Sequence, residues 1–312
     1  MTILLLIVPP AWGNLTKAPL LQIGPEFDVR LHGGETYLPD EIEYAVTFRP
    51  PHGLLKSLSN LKIVFSLGAG VDGILDDADY PTSVPLVRFV DRTLSREMSQ
   101  YCVLHVLMHY RMQRCFDHAQ AERQWRQTML PKRTEDTGVG ILGLGEIGTA
   151  TAERLRDLGF RVSGWSRTRR RVAGVESFAG NAELPAFLAR SDFLICLLPL
   201  TPETGGILDT QLFAQLPKGA FIINAARGGH VVEADLVAAL DSGHLGGATL
   251  DVFAVEPLPE DSPLWPHPKI TVTPHIAAIS EAPVAARYIV ERIRRFERGE
   301  PLENVVDPRR GY

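Results

Sequence analysis

The segment ILGLGEIG, residues 141–148, is the feature that most constrains the fold of this chain. Gly143, Gly145 and Gly148 form a G-x-G-x-x-G pattern directly after a predicted strand at 139–142 and at the start of a predicted helix. The first glycine permits a tight turn, the second lets the backbone approach a pyrophosphate, and the third allows close packing of helix on strand. The amino terminus of the helix attracts the anion. In this setting the pattern predicts a dinucleotide-binding loop rather than an ordinary glycine-rich turn.

A basic run, GWSRTRRR at residues 164–171, covers the end of the next predicted strand. An NAD site carries an aspartate or glutamate about 20 residues beyond the glycine loop, where it binds the ribose 2′-hydroxyl. Ser166 lies 18 positions beyond Gly148 instead, and Arg167 follows it. A hydroxyl and a planar cation suit the 2′-phosphate of NADPH, with Arg169 as a second cation. We therefore predict that NADPH is preferred over NADH. The alternative is a solvated basic loop, which we expect for the last two arginines of the run.

Short apolar runs alternate with mixed segments along most of the chain, which predicts β-α-β units and parallel sheets. In the first hundred residues, strands are predicted at 3–8, 29–32, 44–48, 62–66 and 86–89. A second series of six strands is predicted at 139–142, 161–165, 193–197, 220–224, 248–252 and 270–272. Between the two series, residues 95–125 lack glycine and proline, so one long helix is expected there. A length of 312 residues fits two such domains.

Composition argues against several classes of function. A formal net charge of −5 does not favour a general nucleic-acid binder. The three cysteines, Cys102, Cys115 and Cys196, are too few for a disulfide framework or a zinc site and fit a reducing cytosol. The apolar run at 3–8 is too short for a signal peptide or a membrane helix. We expect a cytoplasmic protein with no nucleic-acid and no membrane partner.

A pair of histidines in the predicted long helix raises the alternative of a metal site. His105 and His109 are one helical turn apart, but the sequence offers no third ligand beside them. We therefore expect no metal, and assign the two histidines to packing or to a dimer interface.

Three polar residues follow successive strands of the second series: Arg227 in INAARGGHVV, Glu256 in LDVFAVEPLP and His275 in VTPHIAAIS. An arginine can fix a carboxylate and polarise a carbonyl. A histidine can give a proton as hydride arrives, and a carboxylate beside it stabilises the imidazolium. The three residue types therefore suit the reduction of a carbonyl group.

These motifs, in this order, resemble the D-isomer-specific 2-hydroxyacid dehydrogenases. The likeness covers nearly the whole chain and rests on GAGVD at 68–72, GILGLGEIG, LLPLTPET at 197–204, NAARG, LDVF with EPLP, and TPHIAA. The segments WSRTR, SFAG, ALDSGHLGGATLDVF and the ending RRGY are most similar to the members that reduce glyoxylate and hydroxypyruvate. One departure is Phe48 in TFRPP, where this subgroup often carries tryptophan.

The resemblance implies roles for individual residues. Arg227, Glu256 and His275 would form the catalytic set. The backbone at Ala69 and Gly70, together with Arg227, would receive the substrate carboxylate. The cofactor-binding residues would be Gly143, Leu144, Gly145, Glu146, Ile147, Gly148, Ser166, Arg167, Arg169, Leu198, Pro199, Ala225 and Asp251, the last of which would meet the nicotinamide amide.

The resemblance also implies an α/β fold of two doubly wound parallel-sheet domains, a Rossmann cofactor domain and a flavodoxin-like substrate domain. We place the discontinuous substrate domain at residues 1–104 and 281–312 and the dinucleotide-binding domain at 105–280. The implied activity is NADPH-dependent reduction of a small 2-keto acid, such as glyoxylate or hydroxypyruvate, by a homodimer. Two alternatives remain open: an NADP-linked reductase of a bulkier 2-keto acid, and a nucleotide-sensing regulatory protein on the same fold.

Overall fold

The computed structural model describes residues 2–130 and 132–308, so the terminal RRGY segment lies outside the described residues. The chain divides into two compact units. The first comprises the residues up to Asp91 and those from Ser280 onward, and the second is Arg92–Ile279. The boundaries predicted from the sequence lie between residues 104 and 105 and between 280 and 281, and the first of them falls inside a helix that spans Arg92–Tyr110.

The described strands are β1 (Ile3–Ile7), β2 (Asp28–Leu31), β3 (Ile42–Thr47), β4 (Ile63–Ser66), β5 (Leu86–Val87), β6 (Gly138–Leu142), β7 (Arg161–Ser166), β8 (Glu176–Ala179), β9 (Phe193–Cys196), β10 (Ala220–Asn224), β11 (Leu245–Leu250) and β12 (Ile270–Val272). The described α-helices are α1 (Pro10–Ile23), α2 (Leu54–Ser57), α3 (Asp72–Leu75), α4 (Arg92–Tyr110), α5 (Gln113–Ala121), α6 (Glu146–Asp157), α7 (Gly180–Leu188), α8 (Thr210–Phe213), α9 (Glu233–Asp241) and α10 (Ala282–Glu297).

The first unit is built on a five-stranded parallel sheet. Its order is β2-β1-β3-β4-β5, the doubly wound order of flavodoxin-like folds. All five residues of β1 are buried, as expected for a central strand of a sheet covered on both faces. Helix α10 returns the chain to this unit, where Arg294 forms an ion pair with Glu26 and bonds the carbonyl of Ile23 at the end of α1.

The second unit contains a seven-stranded parallel sheet of order β12-β11-β10-β9-β6-β7-β8. The strand order reverses between β6 and β9, which gives the Rossmann arrangement with its ligand crevice at the carboxyl ends of these strands. The predicted fold class, two doubly wound parallel-sheet domains, is confirmed. Strand β8 is absent from the strands predicted from the sequence, because it is a short, half-exposed edge strand that buries only Phe178.

The predicted single helix at 95–125 is wrong. Helix α4 begins at Arg92 and ends at Tyr110, Met112 has a left-handed backbone with φ of 55°, and α5 ends at Ala121. The amide of Met112 bonds the carbonyl of His109, three residues back, and this closes α4. No glycine or proline marks the turn, so the sequence carried no signal for it. Among the residues that the structure describes, no helix is both long and apolar enough to cross a membrane.

Candidate active site

The glycine loop joins β6 to α6 and is shaped by close backbone contacts. Gly143 has φ of +103°, and a Cβ there would lie 2.7 Å from the carbonyl oxygen of Leu197. A Cβ on Gly148 would lie 1.8 Å from the carbonyl oxygen of Gly143. Around Gly145, in contrast, nothing lies within 4 Å of such a Cβ, and no side chain caps α6, which begins at Glu146. The loop therefore offers open space and helix amides to an anion, as a pyrophosphate requires.

The residues between and beyond these glycines have distinct places. Leu144 is buried against Gly164 of β7, where a side chain of any kind would clash with it. Glu146 accepts a hydrogen bond from the Ser95 hydroxyl at 3.3 Å, which ties the start of α6 to α4. Ile147 is half-buried at the start of α6. Leu144 therefore anchors the glycine loop by packing its side chain against β7.

The loop after β9 lies beside the glycine loop at the reversal of strand order. Leu198 is buried, and the carbonyl of Pro199 accepts a hydrogen bond of 2.7 Å from the Thr204 hydroxyl. Ala225, at the end of β10, is buried as well. Leu198, Pro199 and Ala225 thus follow β9 and β10 at the carboxyl edge of the sheet, the edge at which Rossmann folds hold their ligand.

The basic run divides into residues with different surroundings. Ser166 ends β7 and donates its hydroxyl to the carbonyl of Thr168 at 2.8 Å, so its oxygen remains an acceptor. Arg167 is exposed, and its charge contributes to a lowered pKa of Glu203, although the larger cause of that shift is a hydrogen bond from Thr201. Arg169 instead bonds Glu183 of α7 and the carbonyl of Ser177 in β8.

Glu256 and His275 meet directly. Glu256 Oε2 lies 2.9 Å from His275 Nδ1, and Glu256 Oε1 accepts a hydrogen bond of 3.0 Å from the amide of Phe253. Both side chains are partly accessible, with 34% of His275 and 20% of Glu256 exposed. The pair can therefore present the other imidazole nitrogen, Nε2, to a small molecule while the carboxylate fixes the ring orientation.

Asp251 holds the backbone that carries His275. His275 has a left-handed backbone, with φ of 54°, and its amide bonds the Asp251 carbonyl at 2.8 Å. The Asp251 carboxylate accepts hydrogen bonds from the amides of Ile276 and Ala277, both at 2.9 Å, and from the Thr273 hydroxyl at 2.6 Å. Asp251 is 1% exposed. An unfavourable backbone conformation that several bonds enforce is typical of functional sites.

Arg227 follows β10 in a tightly packed loop. Asn224, fully buried at the end of β10, donates to the Arg227 carbonyl at 2.9 Å and accepts from the amide of Ala226 at 3.2 Å. A Cβ on Gly228 would lie 1.8 Å from the carbonyl carbon of Phe253, so the loop presses on the segment that leads to Glu256. Since β10, β11 and β12 are adjacent and parallel, the residues after them share one edge of the sheet.

The GAGVD loop belongs to the first unit and follows β4. The Ser66 hydroxyl lies 3.0 Å from the carbonyl oxygen of Gly68 and 3.2 Å from that of Gly70. Because the peptide is trans, the amide of Ala69 points away from Ser66. The ring of Phe48 covers Gly68, where a Cβ would lie 3.1 Å from Phe48 Cε2, and its centroid is 6.0 Å from that of Trp12. The departure from tryptophan thus leaves an aromatic ring over the loop.

His105 and His109 both lie beside one hydroxyl, that of Thr249. Thr249 Oγ1 lies 2.9 Å from His109 Nε2 and 3.4 Å from His105 Nδ1. Burial lowers the pKa of both imidazoles, that of His109 to about 4. Within 2–130 and 132–308, no group of three histidine, cysteine, aspartate or glutamate side chains is placed to hold a metal ion. The histidines are packed inside the second unit.

Several polar residues that support the site were missed from the sequence. Tyr101 of α4 shares a hydrogen bond of 2.7 Å with Thr273, which in turn bonds Asp251. His230 and Asn224 bond the carbonyl of Arg227. A polar side chain at the buried end of an apolar strand, such as Asn224 after FII, was the available signal. Tyr101 carried no such signal, because its partner is 172 residues away.

The fold and the site define a dinucleotide-binding α/β protein with a histidine–carboxylate pair at the carboxyl edge of its sheet. The family model described as "D-isomer specific 2-hydroxyacid dehydrogenase, NAD binding domain" matches residues 103–277. The chain belongs to this family, and the resemblance seen in the sequence is confirmed.

Curated relatives and solved structures agree with the assignment. The chain is 45% identical over 275 residues to glyoxylate/hydroxypyruvate reductase A of Yersinia enterocolitica, covering 86% of this chain and 88% of the relative. It is similar to the NADPH-dependent glyoxylate/hydroxypyruvate reductase of Sinorhizobium meliloti, solved with NADP and sulfate, at 41% identity, full coverage of both chains and a TM-score of 0.94. A dehydrogenase of this family from Xanthobacter autotrophicus Py2, solved with NADPH and MES, is 46% identical, with 98% and 99% coverage and a TM-score of 0.91.

Proposed function

We propose that this protein is an NADPH-dependent reductase that converts a small 2-keto acid, such as glyoxylate or hydroxypyruvate, to the 2-hydroxy acid. The observation that carries the proposal is the direct pairing of His275 with Glu256 at the carboxyl edge of the sheet that bears the glycine loop. Binding of a nucleotide alone requires no such general acid. The names of the curated relatives and the NADPH and NADP complexes of the solved neighbours support the same activity.

The site residues then have separate tasks in reduction. Bound NADPH would supply the hydride. His275 gives the proton to the carbonyl oxygen, while Glu256 stabilises the imidazolium and fixes its orientation. Arg227 binds the substrate carboxylate and polarises the carbonyl, which a planar guanidinium can do through paired hydrogen bonds. The backbone at Ala69 and Gly70 receives the carboxylate as well, as the family resemblance implies.

Cofactor binding is assigned to the crevice residues. Gly143, Gly145 and Gly148 admit the pyrophosphate, with Leu144, Glu146 and Ile147 completing the loop and the start of α6. Ser166 and Arg167 bind the 2′-phosphate, and Arg169 joins them only if it leaves Glu183. Leu198, Pro199 and Ala225 line the crevice. Asp251 meets the nicotinamide amide while its carboxylate also orders the loop of His275.

A panel of 2-keto acids tests the proposal. NADPH oxidation is measured with glyoxylate, hydroxypyruvate, pyruvate and phenylpyruvate, each with NADH in parallel and with His275→Ala as the matched inactive variant. Turnover of glyoxylate or hydroxypyruvate with NADPH supports the proposal. Turnover of phenylpyruvate alone would favour a reductase of bulkier substrates. NADPH binding without turnover of any keto acid would favour a nucleotide sensor and refute the proposed enzyme.

We also propose a homodimer in the cytoplasm. The second unit exposes Leu104 of α4 and, in the segment after α5, Trp125 and Met129, which are 95% and 90% exposed. Association of two copies through these side chains would remove their apolar surface from water, which favours binding. The three free cysteines fit a reducing compartment. Sedimentation of Trp125→Ser tests the surface: a monomer supports it, and an unchanged dimer excludes Trp125 from the interface.

A further inference from the structure

His230 is a buried histidine that neither catalysis nor cofactor binding has accounted for. Its side chain is fully buried within the second unit. The ring lies between two backbone carbonyls, with Nδ1 3.0 Å from the oxygen of Arg227 and Nε2 3.3 Å from the oxygen of Pro199. One imidazole therefore spans the loop of the proposed substrate-binding arginine and the loop after β9 that lines the cofactor crevice.

Neither carbonyl depends on the ring for a hydrogen-bond donor. The Pro199 carbonyl also accepts from the Thr204 hydroxyl at 2.7 Å. The Arg227 carbonyl also accepts from the Asn224 amide at 2.9 Å and from the backbone amide of His230 at 3.2 Å. Loss of the ring would leave no buried carbonyl without a donor, so its contribution is not the satisfaction of these oxygens. What the ring supplies is one hydrogen bond, to the Arg227 carbonyl, and a rigid spacer of fixed size between that loop and Pro199.

Two backbone hydrogen bonds join the residues after Thr204 to Gly229 and His230. Gly206 donates to the Gly229 carbonyl at 2.8 Å, and Leu208 donates to the His230 carbonyl at 2.9 Å. These bonds fix the backbone of His230, so the ring projects from a rigid base toward Arg227 and Pro199. A neutral imidazole has one N–H, which favours the shorter contact, to Arg227. In that tautomer Nε2 is an acceptor, so the ring packs against the Pro199 carbonyl at 3.3 Å without a hydrogen bond to it.

We infer that His230 is a positioning residue that sets Arg227 at its working distance from the cofactor loop. The inference rests on the proposed function, since it assigns Arg227 to the substrate and Pro199 to the cofactor crevice. The carboxylate-binding arginine must hold the keto acid so that its carbonyl faces the hydride donor. A displacement of about 1 Å in such a constellation can lower the rate by about 10²-fold.

Three variants separate positioning from packing. His230→Phe keeps a ring of similar size but donates no hydrogen bond, and His230→Gln restores a donor that can reach the Arg227 carbonyl. His244→Phe is the matched control: His244 Nε2 also bonds a backbone carbonyl, that of Phe213, at 2.7 Å, but it precedes β11 at the opposite edge of the sheet. Each variant is measured for kcat and KM with the keto acid, for the dissociation constant of NADPH, and for amide hydrogen exchange without cofactor.

For His230→Phe we expect kcat to fall about 10-fold to 100-fold, the KM of the keto acid to rise at least about fivefold, and NADPH affinity to stay within about threefold. Exchange should accelerate at residues 226–229, and His230→Gln should recover part of the loss. His244→Phe should match the wild type in every measurement. A fall in kcat at unchanged KM would show only a smaller active fraction, and that result, or full activity of His230→Phe, would overturn the inference. Inactivity of the wild type on the whole panel would instead refute the proposed function.

Discussion

The buried imidazole of His109 makes the second unit sensitive to acid. His109 is 8% exposed, its ring stacks on Phe221 with centroids 4.7 Å apart, and its Nε2 bonds Thr249. Burial lowers the pKa of His109 from its ordinary value of 6.5 to about 4, and repulsion from Arg114 and from His105 in its protonated form adds to this effect. Burial lowers the pKa of His105 as well, although Asp251 opposes the shift. Both rings are therefore neutral in the folded protein near neutral pH.

The sign and size of the effect follow from the difference in proton binding. Well above pH 6.5 neither the folded nor the unfolded chain protonates His109, so this group does not change the free energy of unfolding there. Below pH 6.5 the unfolded chain binds a proton that the folded chain does not, and the free energy of unfolding falls by about 1.4 kcal/mol per pH unit. The loss reaches about 2 kcal/mol at pH 5 and about 3 kcal/mol near pH 4, where the folded protein also takes up the proton.

Urea unfolding between pH 7.5 and 5 checks this prediction with His109→Phe. Phenylalanine retains the stacking on Phe221, and Thr249 keeps His105 as a partner at 3.4 Å. The substitution itself should change the free energy of unfolding by the same amount at every pH. Between pH 7.5 and 5 the free energy of unfolding of the variant should fall by about 2 kcal/mol less than that of the wild type. His118→Phe serves as the control, because His118 is an exposed residue of α5. Parallel stability curves for the wild type and His109→Phe would refute the assignment of acid sensitivity to His109.

Four further predictions address the proposed reaction. His275→Ala should lower turnover by about 10²–10⁴-fold with NADPH binding nearly intact; near wild-type turnover would remove His275 from proton transfer. Glu256→Gln should lower kcat and spare NADPH affinity, because the carboxylate that orients the His275 ring is replaced by an amide; an unchanged kcat would contradict the pairing. Arg227→Lys should sharply lower kcat/KM for the keto acid and spare cofactor affinity, whereas equal loss of NADPH affinity would indicate a cofactor-binding role. Arg167→Ala should weaken NADPH at least about tenfold and leave NADH unchanged in paired dissociation constants at one salt concentration; equal effects on both would refute phosphate recognition.

The features that the sequence predicted well are those in which the backbone itself imposes the residue type. A glycine is required at Gly143 and Gly148 because any Cβ would clash with a carbonyl oxygen. Such a glycine pattern can be recognised from the local sequence, without knowledge of tertiary contacts. Apolar strands such as β1 and β10 can likewise be predicted from the sequence, since strands buried on both faces consist of continuous apolar runs. The predicted bounds of β10 agree with the structure at both ends.

Features that depend on distant partners could not be read in this way. The pairing of Tyr101 with Thr273 and that of His109 with Thr249 each join residues more than a hundred positions apart. Local patterns carry propensity and periodicity but not these tertiary contacts, which override propensity where they are strong.

The four arginines of the basic run illustrate how tertiary contacts sort residues that look alike in sequence. Arg169 is bonded to Glu183 and to the Ser177 carbonyl, so it joins α7 to the edge strand β8. Recruiting it to a phosphate would require that ion pair to break, and the energy of the new contact would be offset by the loss of the old one. Arg167 is exposed at the end of β7, and Glu203, whose lowered pKa it helps to set, is exposed as well. A 2′-phosphate would meet little competition from Glu203 at Arg167, because exposed charges interact weakly in water. Phosphate recognition is therefore expected to rest on Arg167 and Ser166, whereas Arg169 stabilises the packing of α7 on β8.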